Sequence, residues 1–337
     1  MILHLYLFTI AAFFPLKDSL LSPPRLQVIF DTDMGSDCDD VGALALLHHY
    51  ADQDKVEILG CVYSSGRIPY GAAVVQAINE YYDRGDIPVG ANQDPEVGDP
   101  VDKMHAEKLA KDRAAFGHRI VHNKDAEDQT SLNRKLIAQA ADSSVLYITV
   151  GHTKGLYDLL VSQPDEFSPL DGKALIQQKL KAWVALGALG AYNEKGHFVR
   201  DWNFYFNNTS TYTAYLVEHF PAAAYFVDAG SKVMTGKSLI PTPPGNIVRT
   251  AYRDWLWNVE EKTLEDQRPS WDLATVFFAV EGLGSFLEFA PAGHLEFDVE
   301  KGSKWNTELE KKNHYYVRQR EGKNELFSEY LNERIVK

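Results

Sequence analysis

Only two cysteines, Cys38 and Cys61, occur in the 337 residues, so no disulfide framework can carry the fold. A single bridge between them stays open for an oxidising compartment; otherwise both serve as small apolar residues. Basic charge is also scarce: 34 Lys and Arg stand against 47 Asp and Glu, a formal net charge of −13. A chain of that sign lacks the basic footprint that a phosphate backbone needs, which argues against nucleic acid as a partner. No Ser/Pro-rich linker, charge block or internal repeat interrupts the chain, and residues 25–337 are expected to form a single domain. The almost wholly apolar segment 2–14 is too short to span a bilayer comfortably and runs into a polar, Pro-containing stretch at 17–25. Residues 1–24 are therefore expected to be a signal peptide or N-terminal extension, with export if the former and a cytoplasmic chain otherwise. No positive charge precedes the apolar run and no small-x-small cleavage site follows it, and both absences weigh against export.

What is present is a composition able to bury one large core, with 45% apolar and 24% charged residues. Short apolar runs at 26–30, 56–63, 87–89, 145–150, 182–186 and 223–227 read as strands. Helical patterns fall at 41–50, 71–83, 132–141, 156–162, 211–219 and 273–280, and a terminal helix at 326–335 follows short β patterns near Phe297 and 315–317. Strands that alternate with helices need crossover connections, so the expected class is α/β: an open, mostly parallel sheet with helices on both faces and a Rossmann-like core. In such sheets ligands bind beyond the carboxyl ends of the strands, so residues just after strands carry most weight.

Those residues are acidic. Between the first strand and the first helix lies Asp31-Thr32-Asp33-Met34-Gly35-Ser36-Asp37-Cys38-Asp39-Asp40, five carboxylates in ten residues. Crowded like charges repel by about 1 kcal/mol per close pair even in water, and a helix N-terminus offsets only roughly 0.3–1 kcal/mol of that. A bound cation is the natural remedy. All-oxygen donors without clustered His or Cys point to a hard ion, Ca²⁺ or Mg²⁺. A solvated acidic turn, or a decayed site that binds nothing, is the bland alternative, but the apolar strand and helix on either side keep this loop from being fully solvated. An EF-hand fails because no Glu closes the loop. A haloacid-dehalogenase-like phosphatase also begins with Asp-x-Asp after a strand, yet normally carries Thr or Val where Gly35 stands, and it leaves Asp37, Asp39 and Asp40 unexplained.

The string VIFDTDMGSDCDDVGALALL, residues 28–47, resembles the N-terminal signature of the inosine-uridine nucleoside hydrolase family, in a form with an extra aspartate, Asp37, that resembles a bacterial subgroup. Four further segments agree in order: Asp86-Ile87-Pro88-Val89; Ile148-Thr149-Val150-Gly151 with Leu156, Leu159 and Leu160, where the family's Pro and Asn are replaced; Asp201-Trp202-Asn203-Phe204, with Asp for the usual Glu; and Trp271-Asp272 before Ala274. The resemblance runs over residues 26–285. It implies a calcium ion held by Asp33, Asp40, the carbonyl of Val150 and Asp272, with Asp33 also the general base. It implies Asp39 and Asn203 on the 2′ and 3′ hydroxyls of a ribose and Asp201 and Asn193 on the 5′ hydroxyl. Asn193 and Asn203 are equally open to ordinary turn chemistry. Asp31 reads as a partner that fixes an inner carboxylate. His48, His49 and His152 are open to proposal as acids, the first two reading as structural because they sit in a helix.

The implied reaction is calcium-dependent hydrolysis of the N-glycosidic bond of a ribonucleoside by a homodimer or homotetramer, giving ribose and free base. Positive charge develops on the ribosyl ring, which a carboxylate-rich pocket stabilises. Trp271 stands where pyrimidine-accepting members carry histidine, and its broad apolar face suits a purine, though it serves equally as a core aromatic. Ser64-Ser65-Gly66-Arg67 replaces an expected asparagine, which leaves a different N-ribosyl compound open. A calcium-dependent ribosyl-binding protein without turnover is the reading from another class.

Overall fold

Alternation along the first strand, β1 (Leu26–Thr32), divides the interior in two. Val28 and Phe30 enter one apolar core, and Ile29 between them enters the other. The computed structural model describes residues 25–100, 105–308, 311 and 313–337, so the expected signal peptide or extension at 1–24 lies outside the described residues. The chain continues through β2 (Val56–Tyr63), β3 (Val89–Ala91), β4 (Glu127–Asp128), β5 (Val145–Thr149), β6 (Leu180–Leu186) and β7 (Ala223–Asp228). A ribbon of β8 (Met234–Thr235) with β9 (Arg268–Pro269) follows, then β10 (Leu287–Phe289), a hairpin of β11 (His294–Asp298) with β12 (Gly302–Asn306), and β13 (His314–Gln319).

Nine of these strands form one sheet in the order β10-β13-β7-β6-β5-β1-β2-β3-β4. Every pairing in it is parallel except β10 with β13. The class is α/β with a mostly parallel sheet and helices on both faces, as the alternation of patterns implied. From β1 the chain first winds outward through β2, β3 and β4, then returns to the other side of β1 at β5. The order therefore reverses between β1 and β5, the crevice where sheets of this kind receive ligands.

Helices cover both faces: α1 (Asp39–Asp52), α2 (Gly71–Tyr81), α3 (His105–Lys111), α4 (Arg113–Phe116), α5 (Gln129–Gln139), α6 (Lys154–Val161), α7 (Gly172–Lys179), α8 (Ser210–His219), α9 (Ile247–Glu260), α10 (Trp271–Glu281) and α11 (Asn324–Asn332). One core joins α1, α2, α3, α9, α10 and α11 to the sheet, and the other joins α5, α6, α7 and α8. α1 is apolar all round and correspondingly buried all round. α9, which the sequence reading passed over, buries Ile247, Val248, Ala251, Tyr252, Trp255 and Leu256, an amphipathic face hidden among Arg, Asp and Asn. The third strand sits two residues later than 87–89, because Pro88 offers its carbonyl to Cys61 but has no N–H for a ladder. Cys38 and Cys61 are both buried free thiols. Among the described residues no helix is long and apolar enough to cross a membrane.

The second core centres on Trp183 of β6, fully buried against Phe204, Phe220 and Phe226. Its Nε1–H donates to Thr149 Oγ1 at 2.8 Å. Trp183→Ala is expected to lower unfolding free energy by about 3–5 kcal/mol, with Trp183→Phe losing less, as read by urea denaturation. Equal losses in the two variants would show that the aromatic packing is not what holds this layer.

Candidate active site

β1 and β5 end side by side, and the chain after each turns into the same crevice. Asp31 sits within β1, Asp33 just past its end, and Val150 just past β5. The two turns touch so closely that a Cβ at Gly151 would lie 2.4 Å from the Asp33 nitrogen, so only glycine fits there. Gly35, at φ +126, lets the loop double back toward α1. Asp39 and Asp40 open α1, and Asp272 lies in the first turn of α10. α1 packs against α10, so two helix N-termini bring three carboxylates to one place.

These groups line a cavity of about 350 Å³, walled also by Asp37, Asp201, Asn203, Leu186, Trp202, Trp255 and Trp271. Asp33, Asp39, Asp40 and Asp272 are each at most 4% exposed, so little water screens them. Burial pushes all four carboxyls well above their ordinary range, and the negative charges of their neighbours push further. Thr32 Oγ1 donates to Asp40 Oδ1. The Asp272 N–H donates to Asp39 Oδ2 at 3.3 Å, while Asp39 Oδ1 and Asp33 Oδ2 are buried without a hydrogen-bond partner.

Arg268, just before α10, is the one basic residue lining the cavity among those described. It pairs with Asp37 at 2.9 Å, approaches Asp39 at 3.7 Å, and rests over the rings of Trp255 and Trp271 at 4.2 and 5.0 Å. Burial works against the Asp37 charge, but Arg268 and hydrogen bonds from Asp39 prevail and hold that carboxyl below its ordinary value. The donor set fits a hard divalent cation. Oxygens of Asp37, Asp40 and Asp272 lie within 4.8 Å of one another, Asp33 stands beside Asp40, and buried carboxylate oxygens are left unpartnered.

Of the residues singled out in the sequence, Asp33, Asp39, Asp40, Val150, Asp201, Asn203, Trp271 and Asp272 all line this cavity. Val150 presents its carbonyl to Asn203 Nδ2 at 2.6 Å, and that oxygen keeps a second lone pair. Asp201 accepts from the backbone N–H groups of Ala188 and Phe204, at 2.9 and 2.8 Å. Asn193 is not among the lining residues: it closes the turn at 190–197, donating to the carbonyls of Gly190 and His197 and accepting from the His197 N–H. Asp31 is buried behind the site, taking a hydrogen bond from Tyr147 at 3.0 Å. His48 is buried against Asn79, away from the cavity. Arg268, Trp255 and Asp99 were not picked out, and Asp37 was noted as the extra aspartate without a role. Trp255 belongs to the amphipathic face of α9, which the sequence reading passed over, whereas Arg268 lies in the two-residue strand β9 and Asp99 in a Gly- and Pro-containing loop, where no periodic pattern exists.

No family model matches the chain, and no curated protein matches it. Solved structures do. A plant nucleoside hydrolase shares 15% identity and a TM-score of 0.64 over 93% of this chain and 99% of its own. A purine-preferring ribonucleoside hydrolase from Gardnerella vaginalis shares 14% and 0.63, over 92% and 98%. The type III effector protein XopQ, solved with adenosine diphosphate ribose, shares 13% and 0.63, over 93% and 95%. At these identities the likeness establishes the fold: this chain has the fold of the nucleoside hydrolases.

Two consequences can be measured. Arg268→Met removes the cation facing Asp37 and Asp39, so the metal-free protein is expected to lose about 3–5 kcal/mol in urea unfolding, and millimolar calcium to restore part of it. The same loss with and without calcium would mean that Arg268 does not balance the cluster. Burial raises the Asp201 carboxyl to about 6, against the pull of its backbone donors. Its folded-state value lies above the unfolded one, so its contribution is whole below about pH 3.8 and is lost as pH rises through about 6, about 3 kcal/mol in all. Stability of Asp201→Asn relative to the parent should therefore rise across that interval; a flat difference would show that Asp201 is charged throughout.

Proposed function

We propose that this chain hydrolyses the N-glycosidic bond of ribonucleosides, with a divalent cation, calcium, in the aspartate cluster. The observation that supports this best is the meeting of Asp33, Asp39, Asp40, Val150, Asp201, Asn203, Trp271 and Asp272 on one cavity at the reversal of strand order. Asp33, Asp40, Asp272 and the Val150 carbonyl would hold the ion, which when bound supplies positive charge and a hard centre for sugar and water oxygens.

Asp33 serves as general base. Burial and the charges of Asp99 and Asp40 raise its affinity for a proton, which suits it to take one from the water that attacks the anomeric carbon. Asp39 and Asn203 hold ribose hydroxyls, and Asp201 anchors the far end of the sugar. As the C–N bond breaks, its electron pair leaves with the base and the ribosyl ring becomes cationic. The surrounding carboxylates stabilise that charge more than they stabilise the neutral substrate. Trp271 offers the departing base an apolar face, which favours purines. A different N-ribosyl compound is the second reading, favoured by Arg268 on the cavity wall and by the adenosine diphosphate ribose in the similarly folded XopQ structure.

The deciding experiment is ribose release from a panel of purine and pyrimidine nucleosides, with calcium and with chelator. Asp33→Ala is expected to lower kcat by roughly 10²–10⁴-fold. Trp271→Leu is expected to lower kcat/KM about tenfold more for purine than for pyrimidine nucleosides. No turnover on any nucleoside despite bound calcium would reject the reading in favour of another ribosyl substrate or a binding role.

A further inference from the structure

A second donor set, which adds an imidazole, meets the all-carboxylate cluster at Asp33. His152 occupies the place after Gly151 where the resembling family has proline, and it is fully buried. Its Nε2 lies 3.3 Å from Asp33 Oδ2 and 3.2 Å from Asp99 Oδ2. Asp99 is itself fixed: Trp202 Nε1–H donates to its Oδ1 at 2.6 Å, and its backbone N–H donates to Ser65 Oγ at 3.0 Å. Its Oδ2 accepts a hydrogen bond from His152 Nε2 at 3.2 Å, which leaves that N–H nothing for Asp33. The His152 backbone N–H donates to Ser64 Oγ at 3.0 Å, which sets the position of the ring.

Hydrogen bonding alone does not satisfy this trio. One Nε2–H can serve one carboxylate, and both separations exceed the roughly 2.7–2.9 Å of a charge-assisted bond. Asp33 Oδ2 accordingly has no hydrogen-bond partner although Asp33 is only 3% exposed, and a buried orphan of that kind calls for a bound group. The Tyr63 hydroxyl, fully buried and likewise unpartnered, lies in the field of Asp99 and Asp33. Ligands at about 2.0–2.2 Å from one ion stand about 2.8–3.6 Å apart, whether octahedral or tetrahedral, and the two separations at Nε2 fall in that range. An imidazole with two carboxylates selects a first-row transition ion over calcium.

We propose that Asp33, Asp99 and His152 form a second cation site, which takes a divalent ion of the zinc class and shares Asp33 with the carboxylate cluster. The inference goes beyond the reaction proposed above, and a cation on Asp33 Oδ2 would lower the proton affinity that burial and neighbouring charges raise there.

The test is metal content and ligation in the full-length protein, stripped with chelator and dialysed against zinc in saturating calcium. About one equivalent of zinc beside calcium is expected, with an imidazole shell in the X-ray absorption spectrum of the bound zinc. His152→Ala and the milder Asp99→Asn should each weaken zinc binding roughly 100-fold or more while calcium content stays at the parent level. Zinc bound without an imidazole shell, or bound equally by the parent and by either folded variant, would overturn the proposal. So would the absence of zinc from the folded parent. None of these outcomes depends on nucleoside turnover, so failure here and failure of the proposed hydrolysis are told apart.

Discussion

Negative charge held out of water at the ends of β1 and β5 is the constraint around which the molecule is arranged. Two unit charges 4 Å apart repel by about 1 kcal/mol in water and by about 4 kcal/mol at an effective dielectric of 20, and four carboxylates here are almost wholly buried. Protonation relieves the repulsion only by removing the charge that chemistry at this cavity would use. Arg268 relieves it without that loss, but its ion pairs reach Asp37 and Asp39 and not the far side of the cluster. The remaining imbalance falls on Asp33, Asp40 and Asp272, where a cation has oxygen donors on several sides.

The parallel sheet tolerates this arrangement because of where its helices begin. Asp39 and Asp40 lie in the first turn of α1, and Asp272 in the first turn of α10. Each helix N-terminus favours a nearby carboxylate by roughly 0.3–1 kcal/mol, and here two such termini converge. That is less than the repulsion they face, so the helices position the charges, Arg268 balances part of them, and the proposed cation would balance the rest. The apolar contacts of α1 with α10 and the sheet supply the rest, since the cost of the cluster is spread over a core that extends across both faces.

Much of this was legible in the sequence. The five aspartates between an apolar strand and an apolar helix announced the crevice and its buried carboxylates, because buried flanks leave an acidic loop no way to be solvated. Val150 and Asp272 were found through their resemblance to known segments, and both reach the cavity. What escaped did so for two reasons, an amphipathic pattern left unread and charged residues that belong to no pattern. α9 buries one face while its other face carries Arg249, Arg253 and Asp254, a helical period present in the sequence but passed over, and with it Trp255, whose Nε1–H donates to the Ser36 carbonyl at 2.8 Å. Arg268, in the two-residue strand β9, and Asp99, in a loop, are single charged residues brought to the site by tertiary contacts that no local pattern encodes. Asn193 shows the opposite failure, a residue suited to sugar binding that spends its amide on its own turn.

The two halves of the cavity are not independent. On the cation side, Asp33, Asp40 and Asp272 are anchored in the core shared by α1 and α10. On the opposite side, Asp201 holds the Phe204 N–H, and the Phe204 ring packs on Trp183 in the other core. One bond between them runs from Asn203 Nδ2 to the Val150 carbonyl. That carbonyl follows β5 directly and is one of the oxygens assigned to the cation, while Asn203 is assigned to the sugar. A shift at the end of β5 therefore moves both sets of contacts together, and the tight approach of Gly151 to Asp33 opposes such a shift. Rigidity in this one turn is what holds carboxylates from one core and the Asn203 amide from the other on a single cavity.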